Sequence, residues 1–565
     1  VNGNSTKHPG EQAATADAGY DASAMTLRQK IGQMVHCGFH GYEPSEEIVR
    51  LIRERGIGGV ILFARNVRDI RQVAATNAEL QRIAMEAGLP PLTIAIDQEG
   101  GMVARLTEGV ALMPGNMAIA AGGSAEAAYE AARVTGDELR ALGINLNYAP
   151  VLDVNVNPAN PVIGVRSYGE SPELVGDYGL QAIRGLQEAG VTATAKHFPG
   201  HGDTDVDSHL DLPTISHSRE RIYAVELAPF KRAVAAGVDA IMSSHIYFPA
   251  FESGKVPVTL SRNVLTGLLR EELGFDGVIM TDCMEMKAIA DHYGTVKAAV
   301  MAVEAGADCV LISHRHDLQE GAIDALVAAV ESGRISEARI DASVRRLLAM
   351  KRRRGLTADA VATVADDAYY AGDAFRRVGG EAHRAVARRI SEASVTVVKN
   401  EGGLLPLRRE RTLVIGVQAA AVSEVDESVD LPMTLGQALA AQGVPVEERT
   451  VLLDDVAGQA DALAELARSF GQVVVGTYNA SFRPEQAAFV RAVLESGGKP
   501  VVVAQRNPYD IQAFPDVPAY VLTYESRPLA LQSAAKVLAG TAEARGRTPV
   551  AIHPDYPAGS GGNGR

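Results

Sequence analysis

TATAKHFPGHGDTDVDSHLDLP, residues 192–213, begins as a short apolar run and ends in a burst of titratable side chains. The opening seven residues read as a strand buried on both faces, the kind a helix-covered parallel sheet needs. The same pattern recurs in QMVHCGF (33–39), GGVILFA (58–64), LTIAID (92–97), LNYAPVLDV (146–154), AIMSSHIY (240–247), GVIMTDCM (277–284) and DCVLISH (308–314). Longer Ala-, Leu-, Arg- and Glu-rich stretches of helical character separate them. Eight such units in about 325 residues fit a (β/α)8 TIM-type barrel better than an open sheet. Polar residues fall where that fold collects them: Asp97, Asp153, His197, His245, Asp282 and His314 sit at or near the C-terminal ends of their runs. In a barrel those ends share one face, the face that carries catalytic groups.

Beyond the barrel the text changes to an Arg- and Ala-rich connector, and then to a second series of runs. These are SVTVVKN (394–400), RTLVIGV (411–417), QVVVGTY (472–478), PVVVAQ (500–505) and AYVLTY (519–524). The reading divides the chain into a disordered tail (1–24), the (β/α)8 catalytic barrel (25–350) and a helical linker (351–390). A smaller C-terminal α/β sandwich domain with a mainly parallel sheet (391–550) and a flexible tail (551–565) follow.

With 47% hydrophobic and 22% charged residues the composition is that of a globular protein with a sizeable core. A net charge of −15 with no basic stripe argues against nucleic acid or an anionic membrane as partner, since phosphates would be repelled. No apolar stretch is long enough to span a bilayer. The cytoplasm is the favoured compartment, with secretion left open because the chain begins on Val1 and an export signal could have been removed. Cys37, Cys283 and Cys309 are scattered and odd in number, which gives no disulfide framework and reads as buried free thiols. Nothing in the sequence sets the oligomeric state.

The segment after the fifth run packs Lys196, His197, His201, Asp203, Asp205, Asp207 and His209 together. So many titratable groups are costly to bury without partners, and this density points to a site. One reading is a metal-dependent hydrolase on His197, His201 and Asp203. The Phe198-Pro199-Gly200 interruption argues against a shared helix face for the two imidazoles. Another is a structural loop whose side chains cap backbone groups. In the DSH triplet, Asp207 and His209 can hydrogen-bond, so that the carboxylate orients an imidazole acting as general acid or base. Asp282, ending an apolar run, is poorly explained as core. A carboxylate facing a proton donor is the minimum equipment for double displacement at an anomeric carbon. A non-catalytic sugar-binding barrel remains the alternative.

Four segments, IDQEGG (96–101), RSYGE (166–170), KHFPGHGDT (196–204) with DSH (207–209), and TDCMEM (281–286), resemble glycoside hydrolase family 3 in its β-N-acetylglucosaminidase branch. The resemblance implies a retaining, exo-acting enzyme that removes terminal β-N-acetylglucosamine through a covalent glycosyl-enzyme. It implies Asp282 as nucleophile, Asp207–His209 as a mobile acid/base dyad, and Asp97, Arg166, Lys196 and His197 as grips on the terminal sugar's hydroxyls. No metal or other cofactor is implied, and the partner is a small carbohydrate. Some members with a histidine acid/base look like phosphorylases, so inorganic phosphate is the alternative acceptor and glucose the alternative sugar. Met102 stands where the branch usually has a basic residue, and Tyr168 where Phe is commoner; neither touches the expected chemistry, and either could alter what fits beyond the terminal sugar. The absence of Trp favours a pocket for one sugar over a long cleft.

Overall fold

The computed structural model describes residues 20–208, 211–357, 365–418 and 433–562. Its first half is a closed eight-stranded parallel barrel. The strands are β1 (Val35–Gly38), β2 (Gly59–Leu62), β3 (Thr93–Ile96), β6 (Leu146–Asn147), β7 (Thr192–Phe198), β8 (Ala240–Ser243), β9 (Val278–Cys283) and β10 (Cys309–Ile312). They close in sequence order, β10 pairing with β1 from Val35 opposite Val310 to Cys37 opposite Ile312. Every expected run contributes a strand. The fourth is the shortest, because Pro150 lacks the N–H that would continue the ladder, and beyond it the chain runs on beside β7 through irregular bonds such as Thr194 N to the Ala149 carbonyl and the bridge Val151–Lys196. Three of the long helices between strands start on side-chain caps: Asp69 accepts from Gln72 N, Ser124 from Ala127 N, and Ser171 from Leu174 N with Pro172 in the first turn. Among the described residues no helix is long and apolar enough to cross a membrane.

A small hairpin, β4 (Gln98–Gly100) with β5 (Val103–Ala104), rises from the end of β3. Gly100 and Gly101 turn it at φ of 97° and 56°. A Cβ on Gly101 would stand 2.6 Å from a Glu525 carboxylate oxygen and 2.7 Å from Gly115 Cα. The EGG triplet is therefore demanded by the turn and by the second domain pressing on it.

That domain holds a six-stranded sheet in the order β11-β16-β15-β14-β12-β13. Its strands are β11 (Thr396–Asn400), β12 (Thr412–Gln418), β13 (Val446–Leu452), β14 (Gln472–Thr477), β15 (Pro500–Ala504) and β16 (Ala519–Leu522). Only the β11–β16 pair is antiparallel. The sixth strand, β13, was not expected. It reads VEERTVL and lies at the sheet edge, where charge replaces the apolar signature.

The two domains meet on the hairpin. Arg527 Nε donates to the Gly101 carbonyl at 2.9 Å and Nη2 to that of Met102 at 3.2 Å. Met102 packs in the second domain's core, and Tyr168 is buried with its ring centroid 5.5 Å from that of Tyr178. Both departures from the family pattern are core residues here. Residues 551–562 also differ from the flexible tail expected. Ala551 N donates to Glu170 Oε2 at 3.0 Å, Gln512 Nε2 to the Ile552 carbonyl at 2.9 Å, and Gly562 N to Gly546 at 3.0 Å. The glycines there turn a strap whose Ile552 is fully buried. At the other end, Ala22–Ala24 form a capped turn within the stretch assigned to a tail.

Glu525 gives the interface a pH dependence. Burial pushes its carboxyl up to about 7, against the opposing pull of the Gly115 N–H bond and Arg527. A proton held more tightly in the folded state stabilises fully below the ordinary value of 4.5 and is lost as pH rises through about 7. Glu525→Gln keeps an acceptor for Gly115 and removes the charge. It is expected to raise Tm by roughly 3–5 °C at pH 8 and to leave it unchanged at pH 4, measured by differential scanning calorimetry.

Candidate active site

The C-terminal ends of the barrel strands enclose a cavity of about 520 Å3, lined among others by Asp97, Arg105, Arg166, Lys196, His197 and Asp282. Behind its polar lining lies the buried carboxylate of Glu99 of β4. Arg166 grips that carboxylate with Nε at 2.9 Å and Nη2 at 2.8 Å, and Lys196 Nζ reaches it at 2.7 Å. Burial opposes the charge on Glu99, but Arg166 and Lys196 outweigh it and hold the carboxyl well below the usual range. Burial likewise works against the Lys196 cation, and Asp97 and Glu99 keep it protonated. Lys196 also donates to Asp97 at 2.9 Å, and Arg105 Nη2 approaches the other Asp97 oxygen at 3.5 Å. The result is a fixed lattice of alternating charges suited to orient sugar hydroxyls with charge-assisted bonds.

His197 enters from β7. Its Nδ1 and Asp153 Oδ2 are 2.7 Å apart, and its backbone N–H donates to Asp153 Oδ1 at 3.1 Å. Asp153 is fully buried; its own desolvation opposes the charge, and His197 carries the carboxyl below its ordinary value nonetheless. It is a hub behind the cavity wall, not a group facing it.

Asp282 lies at the C-terminal end of β9, one residue before its last, half-buried, with Oδ1 accepting from Cys283 N at 2.7 Å. Two bonds fix this turn. His245 Nε2 donates to the Cys283 carbonyl at 2.9 Å, and Thr281 Oγ1 accepts from Leu311 N at 3.1 Å. Cys283, expected to be buried like Cys37 and Cys309, is only partly so and lines the cavity. Burial and neighbouring Glu285 push its thiol up to about 12.

The loop after β7 carries Asp207, which is buried on it. His209 lies outside the described residues. The metal reading of this loop is not supported by its donors. His201 Nδ1 and Nε2 face Thr204 Oγ1 and Ser208 Oγ at 2.8 and 2.9 Å, Asp203 pairs with His217, and His197 is held by Asp153. Two other donor sets lie close, Cys283–Glu285–His314 and Asp203–His217–Glu226. In the first, Glu285 accepts from the backbone of His314 and Arg315 at 2.7 and 3.0 Å; in the second, Arg221 takes both Glu226 oxygens at 2.8 and 2.9 Å. Both work as loop clamps.

The structure thus brings Asp97, Arg166, Lys196, His197 and Asp282 to one cavity. It adds Arg105 to that cavity and Glu99 behind it, neither of which sequence reasoning singled out. Glu99 stood inside the IDQEGG segment; nothing in the local text marked Arg105.

Residues 26–350 match the Glycosyl hydrolase family 3 N terminal domain, and residues 395–558 match the Glycosyl hydrolase family 3 C-terminal domain. The chain belongs to this family of glycoside-cleaving enzymes and is itself an enzyme. It is 32% identical to Beta-hexosaminidase A of Pseudoalteromonas piscicida, over 94% of this chain and 97% of that one. It is 31% identical to a Beta-N-acetylglucosaminidase/beta-glucosidase of Cellulomonas fimi, over 92% and 93% of the two chains. Among solved structures it resembles a family 3 β-N-acetylglucosaminidase of Paenibacillus sp. str. FPU-7. That likeness has a TM-score of 0.89 and 50% identity, over 94% of this chain and 99% of that one.

Proposed function

We propose that the chain is a retaining, exo-acting β-N-acetylglucosaminidase working by double displacement. The observation that carries this reading is the Asp282 carboxylate at the C-terminal end of β9, in the same cavity as Asp97, Arg105, Arg166, Lys196 and His197. The charge lattice around Glu99 grips the terminal sugar's hydroxyls and turns its anomeric carbon toward Asp282. Asp282 attacks while His209 protonates the leaving oxygen. A covalent glycosyl-enzyme forms, and His209 then takes the proton from the incoming acceptor, with net retention. Asp207 orients the imidazole and stabilises its cation. A bounded cavity of about 520 Å3 supports the exo-acting reading. The names of its relatives favour N-acetylglucosamine, with glucose as the second sugar. The partner is a small carbohydrate, and the cycle calls for no cofactor.

Water is the acceptor in this reading and inorganic phosphate its rival, because a neutral imidazole places no negative charge beside an incoming anion. Aryl N-acetylglucosaminide and aryl glucoside are compared with and without phosphate, with product analysis. Preference for the former, with free sugar released at a rate indifferent to phosphate, is expected. A phosphate-dependent rate and a sugar 1-phosphate would replace hydrolysis with phosphorolysis.

A further inference from the structure

His201 is the one histidine of the KHFPGHGDT segment with no part in the proposed cycle, yet it is among the most thoroughly bonded side chains near the cavity. It is 3% exposed. Its backbone N–H donates to Asp153 Oδ1 at 2.7 Å, the same oxygen that receives the N–H of His197. Its carbonyl accepts from Asn160 Nδ2 at 2.8 Å and from Thr204 Oγ1 at 3.2 Å. With the Thr204 hydroxyl proton on that carbonyl, the ring's Nδ1 donates to Thr204 Oγ1. A neutral imidazole then has one lone pair left, on Nε2, and Ser208 Oγ stands 2.9 Å from it. Burial keeps this ring neutral, pulling its pKa down to about 4 against the opposing pull of Asp153. Ser208 is itself buried, and it is the residue between Asp207 and His209 in the chain.

We infer that His201 is a positioning residue for the acid/base dyad, acting through its acceptor bond to Ser208 and sharing Asp153 with the sugar-binding His197. One buried carboxylate thereby fixes both the wall that receives the sugar and the root of the loop that delivers the proton. The inference rests on the assignment of Asp207–His209 as acid/base.

A misplaced general acid harms substrates in proportion to their need for leaving-group protonation, whereas a general loosening of the fold harms all substrates alike. The test therefore compares kcat/KM on a 2,4-dinitrophenyl glycoside, whose leaving group needs no proton, with that on a methyl glycoside, whose leaving group does. Ser208→Ala is expected to shift the ratio of the two values by about tenfold or more in favour of the dinitrophenyl substrate. Asp207→Ala serves as reference and is expected to shift it further in the same direction. If Asp207→Ala shifts the ratio and Ser208→Ala leaves it at the wild-type value, the positioning role is overturned and the acid/base assignment stands. If Asp207→Ala leaves the ratio unchanged, the acid/base assignment falls and the positioning role with it. Should Ser208→Ala not fold, as judged by circular dichroism, His201→Phe removes the same acceptor and is read against the same ratio.

Discussion

Asp282→Asn is expected to lower kcat on an aryl N-acetylglucosaminide by on the order of 10⁴-fold, because the amide cannot form the covalent glycosyl-enzyme. The fold should tolerate the change. The Asn side-chain oxygen still accepts from Cys283 N, and the turn beneath it is held independently by His245 and Thr281. A small external nucleophile distinguishes a lost nucleophile from a damaged pocket. With azide present and Asp282→Gly opening the space, turnover should return and yield the α-glycosyl azide, since a single displacement inverts the anomeric centre. A variant that keeps wild-type turnover, or a rescued product of β configuration, would remove Asp282 from the role assigned to it.

The second large effect concerns stability. Arg166 and Glu99 are each 3% exposed at their side chains, so solvent does little to screen them from one another. Removing one partner of such a pair leaves an uncompensated buried charge, a loss of about 3–5 kcal/mol. Arg166→Met should fall near the lower end, because Lys196 still reaches Glu99 at 2.7 Å. The expected outcome is a marked fall in Tm together with a loss of kcat/KM, followed by calorimetry and steady-state kinetics. Adding Glu99→Gln should restore part of the stability and none of the activity, since the stranded charge is gone while the charge lattice is not rebuilt. The pair also has an acidic limb. Glu99 titrates below its ordinary value, so its contribution is present above the unfolded carboxyl range and is lost as pH falls through its folded value.

The parts of this molecule that could be read from the text are those where one residue type is forced by its neighbours. The barrel strands are buried on both faces, so their composition has no freedom, and all eight runs became strands. Asp97, His197 and Asp282 were legible as cavity residues because charged or imidazole side chains at the ends of apolar runs stand out, a signal that also picked out the structural Asp153. Lys196 came from the titratable cluster and Arg166 from the family resemblance. β13 was not legible, because an edge strand tolerates VEERTVL. Nor was the β4–β5 hairpin, whose short strands and two glycines give no periodicity; with it went the role of Glu99. Arg105 was invisible for a different reason. Its approach to Asp97 depends on the hairpin folding back, a contact no spacing rule anticipates. The ordered strap at 551–562 was misread because glycine marks tight turns as readily as loose chain.

The β4–β5 hairpin is held at its turn by Arg527 and Glu525 of the second domain, and on the strand before that turn it carries the carboxylate to which Arg166 and Lys196 are tied. The second domain thus serves as the tuning peg of the barrel's charge lattice, since its Arg527 holds the turn next to Glu99. A displacement of that domain at Gly101 is therefore expected to be passed to Glu99 and, through its ion pairs, to Arg166 and Lys196.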